Sequence, residues 1–285
     1  MGKAPTALLT CLLLLSLAGA DKGKTLPRLI YLKDPKLLHT LQGHTDPVID
    51  VAWSQDGRRL ASGGDKTMNV WDAASGKLLQ TPPGQTHMDL DMAWSPDGKR
   101  FASGTWDRTV AVLDAANNKP LLILKGHTKD ILSVAWSPDG KRLASCSCDK
   151  TVKVWDADSG KLLHTLQRHT NFVVSVAWSR DSKRLGSGSL DKTVKVWDAA
   201  SGKLLHTLQG HTDEVWSVTW SPDGSRLASG SSDRTVKVWE AASGRLLHSL
   251  EGHESFVHGV AWSPDGRQLA SGSDDKTVRV WAVAE

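Results

Sequence analysis

Apolar and polar positions change places along this chain every few residues, in stretches too short and too regular for helices. Val134-Ala135-Trp136-Ser137 runs into Pro138-Asp139-Gly140-Lys141, where glycine can supply the positive φ of a tight turn. Arg142-Leu143-Ala144-Ser145 starts a second stretch. Asp149-Lys150-Thr151 then turns into Val152-Lys153-Val154-Trp155, which alternates apolar and polar. Ser159-Gly160 leads into Lys161-Leu162-Leu163-His164-Thr165-Leu166. The period is two throughout, so the pattern predicts four short antiparallel strands in about 42 residues.

This unit is written six times. Aligned on Trp-Ser it gives Trp53, Trp94, Trp136, Trp178, Trp220 and Trp262, in steps of 41, 42, 42, 42 and 42 residues. Each unit opens on Gly-His or a variant of it, at Gly43, Gly84, Gly126, Arg168, Gly210 and Gly252. Each closes on Trp-Asp or a variant, which gives repeat cores 43–72, 84–114, 126–156, 168–198, 210–240 and 252–282. Six such units in one frame resemble the WD40 family over residues 35–285. The resemblance implies an all-β fold, a six-bladed WD40 β-propeller with four antiparallel strands per blade. Unit six ends with its third strand, whereas Lys36-Leu37-Leu38-His39-Thr40-Leu41 reads as an outer strand with no unit before it. The N-terminal strand is therefore expected to complete the last blade and close the ring, protecting edges that an open sheet would expose.

A His, a Ser, an Asp and a Trp recur in the units. The sets are His44, Ser62, Asp65, Trp71; His127, Ser145, Asp149, Trp155; His169, Ser187, Asp191, Trp197; His211, Ser229, Asp233, Trp239; and His253, Ser271, Asp275, Trp281. The family resemblance implies a structural tetrad, a buried hydrogen-bond network between the loops and the third strand. Satisfiability agrees, because a buried indole N–H needs an acceptor and a buried imidazole needs partners on both nitrogens. A catalytic triad has no reason to recur five times around a ring. Blade two departs from the pattern: Gln85 replaces His, Leu113 replaces Trp, and Asp107 loses those two partners. Such a break marks either a functional site or a degenerate blade carried by its neighbours.

Composition sharpens this picture. The 285 residues carry 35 Lys+Arg against 31 Asp+Glu, a net charge of +4, which does not suggest a polybasic nucleic-acid surface. Three cysteines exclude a disulfide-dense scaffold, and Cys146 and Cys148 read as small packed residues. Thirteen tryptophans stand against three Phe and one Tyr, and the repeat accounts for eleven of them. Trp106 and Trp216 remain, with Phe172 and Phe256, at positions that the family exposes around the mouth of the central channel. The variable positions there are Met88, Leu90 and Trp106; Asp130 and Leu132; Phe172, Val174 and Leu190; Glu214 and Trp216; and Phe256, His258 and Asp274. An apolar ring interrupted by acids suits a protein or peptide partner with apolar and basic side chains. The alternative is that these side chains pack among adjacent loops.

No phosphate loop, nucleophile elbow or zinc ligand set occurs, so the reading is a non-enzymatic interaction scaffold, a monomer without cofactor, nucleic acid or bound metal. The competing reading is an exported propeller that binds metal or carbohydrate and has hydrolytic capacity. Its support is Asp50, Asp89 and Asp91 on innermost strands, whose carboxylates can suit Ca²⁺, and Trp106 with Trp216 for a sugar. At the N-terminus, Lys3, the apolar run Ala7 to Leu17 and Ala18-Gly19-Ala20 describe a signal peptide over 1–20. That run is too short to span a bilayer, so export without stable membrane insertion is expected. Residues 21–34 read as a linker, in which Arg28 to Leu32 form an additional strand or a docked segment.

Overall fold

The computed structural model describes residues 34–54, 56–64, 68–80, 92–104, 107–117 and 119–284. The expected signal peptide over 1–20, residues 21–33 of the expected linker, Asp65, Gln85, Met88, Asp89, Leu90, Asp91 and Trp106 lie outside them. The described strands form six four-stranded antiparallel sheets, one per repeat. Blade three shows the plan: Ile131–Trp136 is innermost, Arg142–Ser147 and Thr151–Asp156 follow, and Leu162–Gln167 is outermost. The turns are built as their residues dictate. Gly140 takes φ 70° and its N–H donates to Ser137 O at 2.8 Å, and in blade four Ser182 fills the same place at φ 59°.

The ring closes as the sequence implies. Lys36–Gln42 pairs antiparallel with Thr277–Ala282 of blade six, setting Leu41 opposite Val278 and Leu37 opposite Trp281. Leu41 is buried in a core that joins Val48, Val51, Leu60 and Trp71 of blade one to Ala270, Val278 and Val280 of blade six. Other cores occupy the seams between neighbouring blades. Because blades stack face on face, the third strands have no solvent side. Lys153 stands at a polar position of an alternating strand yet is 7% exposed, and its ammonium donates to Thr165 Oγ1 at 2.9 Å. Burial pushes that lysine below its ordinary pKa, as it does Lys195.

Polar bonds also cross the seams. The innermost-strand indoles donate to the preceding blade: Trp136 to Ala93 O, Trp178 to Ala135 O, Trp220 to Ala177 O and Trp53 to Ala261 O, at 3.0 to 3.1 Å. Arg100, Arg142 and Arg184 lie 4.8 to 5.0 Å over the rings of Trp136, Trp178 and Trp220 in the next blade. On the outside, His39, His164 and His206 bond to carbonyls of Ala74, Ala200 and Ala242, so these outer-strand histidines tie blade to blade. Replacing the closing residue, Leu41→Ala, should cost about 2–4 kcal/mol in denaturant unfolding. The exposed neighbour Leu37→Ala should cost under about 1 kcal/mol. Equal costs for the two would contradict closure by this strand.

Candidate functional site

The tetrads come first because they decide what the loops above them are free to do. In blade three, the Trp155 indole N–H donates to Ser145 Oγ at 2.9 Å, and Ser145 Oγ lies 2.8 Å from His127 Nε2. His127 Nδ1 lies 2.8 Å from Asp149 Oδ2. Protons have one consistent order here: indole to serine, serine hydroxyl to Nε2, Nδ1–H to carboxylate. Asp149 also accepts from the Thr128 N–H and the Thr151 hydroxyl, at 3.0 and 2.6 Å. The relay recurs from Trp197 through Ser187 and His169 to Asp191. Trp239, Ser229, His211 and Asp233 repeat it, as do Trp281, Ser271, His253 and Asp275. In blade one, Trp71 and His44 meet Ser62 at 2.7 and 2.6 Å. In blade two, Asp107 keeps the Thr109 hydroxyl at 2.7 Å.

The composition of each relay resembles a nucleophilic triad, but its serine is fully buried with an indole N–H already on the oxygen. No substrate carbonyl can reach it. Burial lowers the His169 and His211 pKa values, keeping both neutral. Burial works to raise Asp191 and Asp233, but the histidine and threonine hydrogen bonds outweigh it and hold both well below the usual carboxylate range. For each of these groups the folded state binds protons less readily than the unfolded chain, so acid favours unfolding. The histidine contribution is complete above the ordinary value of 6.5 and is lost as pH falls through the lowered one. The carboxylates add a second loss below 3.8. A melting profile should be flat above about pH 7, decline below about 6.5 and steepen below about 4. A Tm that rises between pH 7 and 5 would contradict the neutral relay.

In blades three to six the loops that open the unit meet the turns between second and third strands at one end of the ring. Backbone bonds join them: Cys148 N to Asp130 O, Leu190 N to Phe172 O, Ser232 N to Glu214 O and Asp274 N to Phe256 O, at 2.8 to 3.0 Å. The described variable positions of blades three to six therefore lie on one face. Their side chains are not equally exposed, however, and here the expectation of an open apolar ring needs correcting. Val174, Leu190 and Trp216 are 3%, 9% and 9% exposed and form their own cluster, with Leu132 and Phe172 packed against it. Contact across blades three to five buries them. Phe256 differs, at 43% exposed.

Within a blade, the two positions that face each other are chemically matched. The Trp216 indole N–H donates to Ser232 Oγ at 2.6 Å, and in blade six the equivalent pair is His258 Nε2 with Asp274 Oδ1 at 2.7 Å. Val174 and Leu190 are the apolar version of the pair. The Trp216 and His258 rings stand 5.5 Å apart, which continues the wall into blade six. Asp130 is exposed, while Glu214 and Asp274 are half-buried. Burial, then Asp213, pushes Glu214 up, and Lys192 sits 3.4 Å from Asp213. Cys146 and Cys148 are free thiols, the first buried.

Beneath this mouth the innermost strands enclose a channel of about 380 Å³. Ile49, Val174, Trp216 and His258 line its upper part, and Asp50, Ser133, Ser175 and Ser217 form a polar ring. Asp50 Oδ1 accepts its neighbour's N–H, from Val51, at 2.8 Å. Among the described residues no group of three or more His, Cys, Asp or Glu is placed to hold a metal ion. No helix among them is long and apolar enough to cross a membrane.

A family model, the WD domain, G-beta repeat, matches residues 35–72, 76–114, 118–156, 160–198, 202–240 and 244–282. Two of the curated relatives match over about one repeat each. The vegetative incompatibility protein HET-E-1 of Podospora anserina is 58% identical over 38 residues, 13% of this chain and 3% of that protein. An uncharacterized WD repeat-containing protein of Synechocystis, sll1491, is 48% identical over 46 residues, 15% of this chain and 13% of that protein. The matched segments thus span a small fraction of either relative.

Sequence reasoning placed these residues on one face but missed the burial of Trp216. The signal was present in the small residue Ser232 at the paired position, which leaves room for an indole and accepts its N–H. Trp216→Ala should cost about 3 kcal/mol of stability, whereas Phe256→Ala should cost under about 1 kcal/mol in the same urea titration. A near-neutral Trp216→Ala would restore the exposed reading.

Proposed function

The chain belongs to the WD40 family, and from that premise we propose that it is a non-enzymatic scaffold that binds a protein or peptide segment across the channel-mouth face. Protein interaction is the general function of such propellers. The observation that carries the finer reading is Phe256, a large aromatic left 43% exposed on a face where the variable apolar residues of blades three to five are packed into a firm wall. An exposed aromatic backed by a rigid surface is the usual anchor of an interface. Asp130, Glu214 and Asp274 on the same face favour a partner with basic as well as apolar side chains. The relays support the same reading from below, since their serines are buried and not available as nucleophiles.

The scaffold acts as a monomer, exported by the N-terminal segment and without nucleic acid or cofactor. Lys3, the apolar run and the Ala-Gly-Ala site support export, and the near balance of charge argues against a nucleic-acid surface. Affinity capture from the exported fraction tests the interface, with the parent compared against a Phe256→Ala, Glu214→Lys double variant of matching melting temperature. Recovery of the partner should fall at least about tenfold with the variant. Equal recovery by both baits would place the interface elsewhere.

A further inference from the structure

We infer that the outer seam between blades three and four holds a binding site for a phosphate group, built on Arg168 and Lys203. None of its residues belongs to the channel mouth, so it stands whether or not a segment docks there.

The repeat itself isolates the residue. Every other unit has glycine where the fourth has Arg168. Gly43, Gly126, Gly210 and Gly252 take φ of 141° to 159°, and Arg168 lies outside that positive range. On the glycine backbone a Cβ would come within 3.2 Å of the third-strand indole, as at Gly126 with Trp155 and Gly210 with Trp239. The chain therefore changes its backbone here to carry an arginine beside Trp197. The frame of the blade does not call for one.

Two blades build the cleft. A space of about 930 Å³ opens at the seam, with Thr165, Gln167 and Arg168 from the end of blade three's outer strand on one side. Lys203 and Leu204, where blade four's outer strand begins, form the other side, and Trp197 lies between. Gln167, Arg168, Lys203 and Leu204 are exposed, so the cleft opens outward. Arg168 and Lys203 are its only ionisable lining residues. Neither side-chain cation has a partner among the described residues. Other cations of blade four are spent: Arg184 bonds Gly224 O at 2.9 Å, Lys192 sits 3.4 Å from Asp213, and Lys195 bonds Thr207 Oγ1 at 3.0 Å.

Two buried lysines stand behind the walls. The Lys153 ammonium donates to Thr165 Oγ1 at 2.9 Å, which leaves the threonine hydrogen free to be donated. Lys195 feels Arg168 directly: burial lowers its pKa, Asp191 raises it, and the Arg168 charge lowers it again. Guanidinium, ammonium, amide and hydroxyl together offer more donors than the about four acceptor sites of a carboxylate can use. Two fixed positive charges match a dianion, and the planar guanidinium pairs with phosphate oxygens two at a time. The seam between blades five and six has the opposite make-up, with Gly252 in place of Arg168 and Glu251 in place of Gln167.

The test is calorimetric titration of the full chain with inorganic phosphate, the capped pentapeptide Gly-Gly-phosphoserine-Gly-Gly, and the same peptide with glutamate for phosphoserine. The phosphopeptide should bind at least about tenfold more tightly than the glutamate peptide. Arg168→Gly, which installs the residue of the other five units, should weaken phosphate binding at least about tenfold without lowering Tm. Arg168→Gln serves as a second variant, close in length and without charge, should the glycine disturb the fold. Inorganic phosphate that matches the phosphopeptide assigns the site to the free ion, and a tighter phosphopeptide assigns it to an ester; either supports the site. No binding of phosphate in either form, equal binding of the glutamate peptide, or phosphate affinity that survives both Arg168 variants would overturn it.

Discussion

Everything on the functional face stands on the hydrogen-bond relay from a buried indole through serine and histidine to aspartate. Each group in it is polar and removed from water, so each must be satisfied, and a missing member leaves its neighbour with an unmet bond in a poorly solvated interior. The relay meets this demand with no slack. Trp197 N–H reaches Ser187 at 2.8 Å, Ser187 reaches His169 at 2.8 Å, and His169 reaches Asp191 at 2.7 Å. Asp191 then fixes the start of the loop through Thr170 N–H and the turn through the Thr193 hydroxyl. Two loops distant in sequence are therefore held to one strand by a single carboxylate. The third-strand tryptophan is at once the floor of the blade and the origin of this chain of donors.

Because the relay anchors the loops, the seams are free to be apolar. Val194, Val196, Val236 and Val238 are fully buried on strands that face neighbours on both sides, and the lysines between them reach a partner. Lys195 and Lys237 find Thr207 and Ser249 on the adjoining outer strand. The seams are not identical. Trp262 finds no acceptor for its N–H among the described residues, and the carbonyl it would reach in blade five belongs to Thr219 where the five other blades carry Ala. In blade six Gln268 stands where blades one to five have Arg. The closing seam relies instead on Leu41 and the strand it belongs to.

The fold was legible in the sequence because repetition does the averaging that a single strand cannot. One stretch such as Val152-Lys153-Val154-Trp155 says only that a strand is favoured, but six copies in one frame fix the register, the strand order and the role of Lys36–Gln42. Burial was less legible. Period-two reasoning assigns Lys153 to a wet face, and blade stacking removes that face. Trp216 was misjudged for a related reason: its position is exposed in the repeat as a pattern, but in this chain Val174 and Leu190 from the preceding blade close over it. Which side chains of neighbouring blades touch depends on the ring's radius and on pairs of variable residues, and neither is written in any one repeat.

Those pairs also explain how the mouth varies without disturbing the frame. Blades four to six each contribute one residue from the opening loop and one from the turn before the tetrad aspartate, and the two must agree: Val174 with Leu190, Trp216 with Ser232, His258 with Asp274. A donor introduced at the first position needs an acceptor at the second, or it is left unmet beside an apolar wall. Variation at the mouth therefore proceeds by pairs within a blade. A pair's chemistry reaches the channel through its first member, while its second member supports it from the rim. This division lets Trp216 be both a packed residue and part of the channel lining, its face turned inward and its N–H spent on Ser232. Phe256, which has no such pair, is left to meet whatever comes from outside.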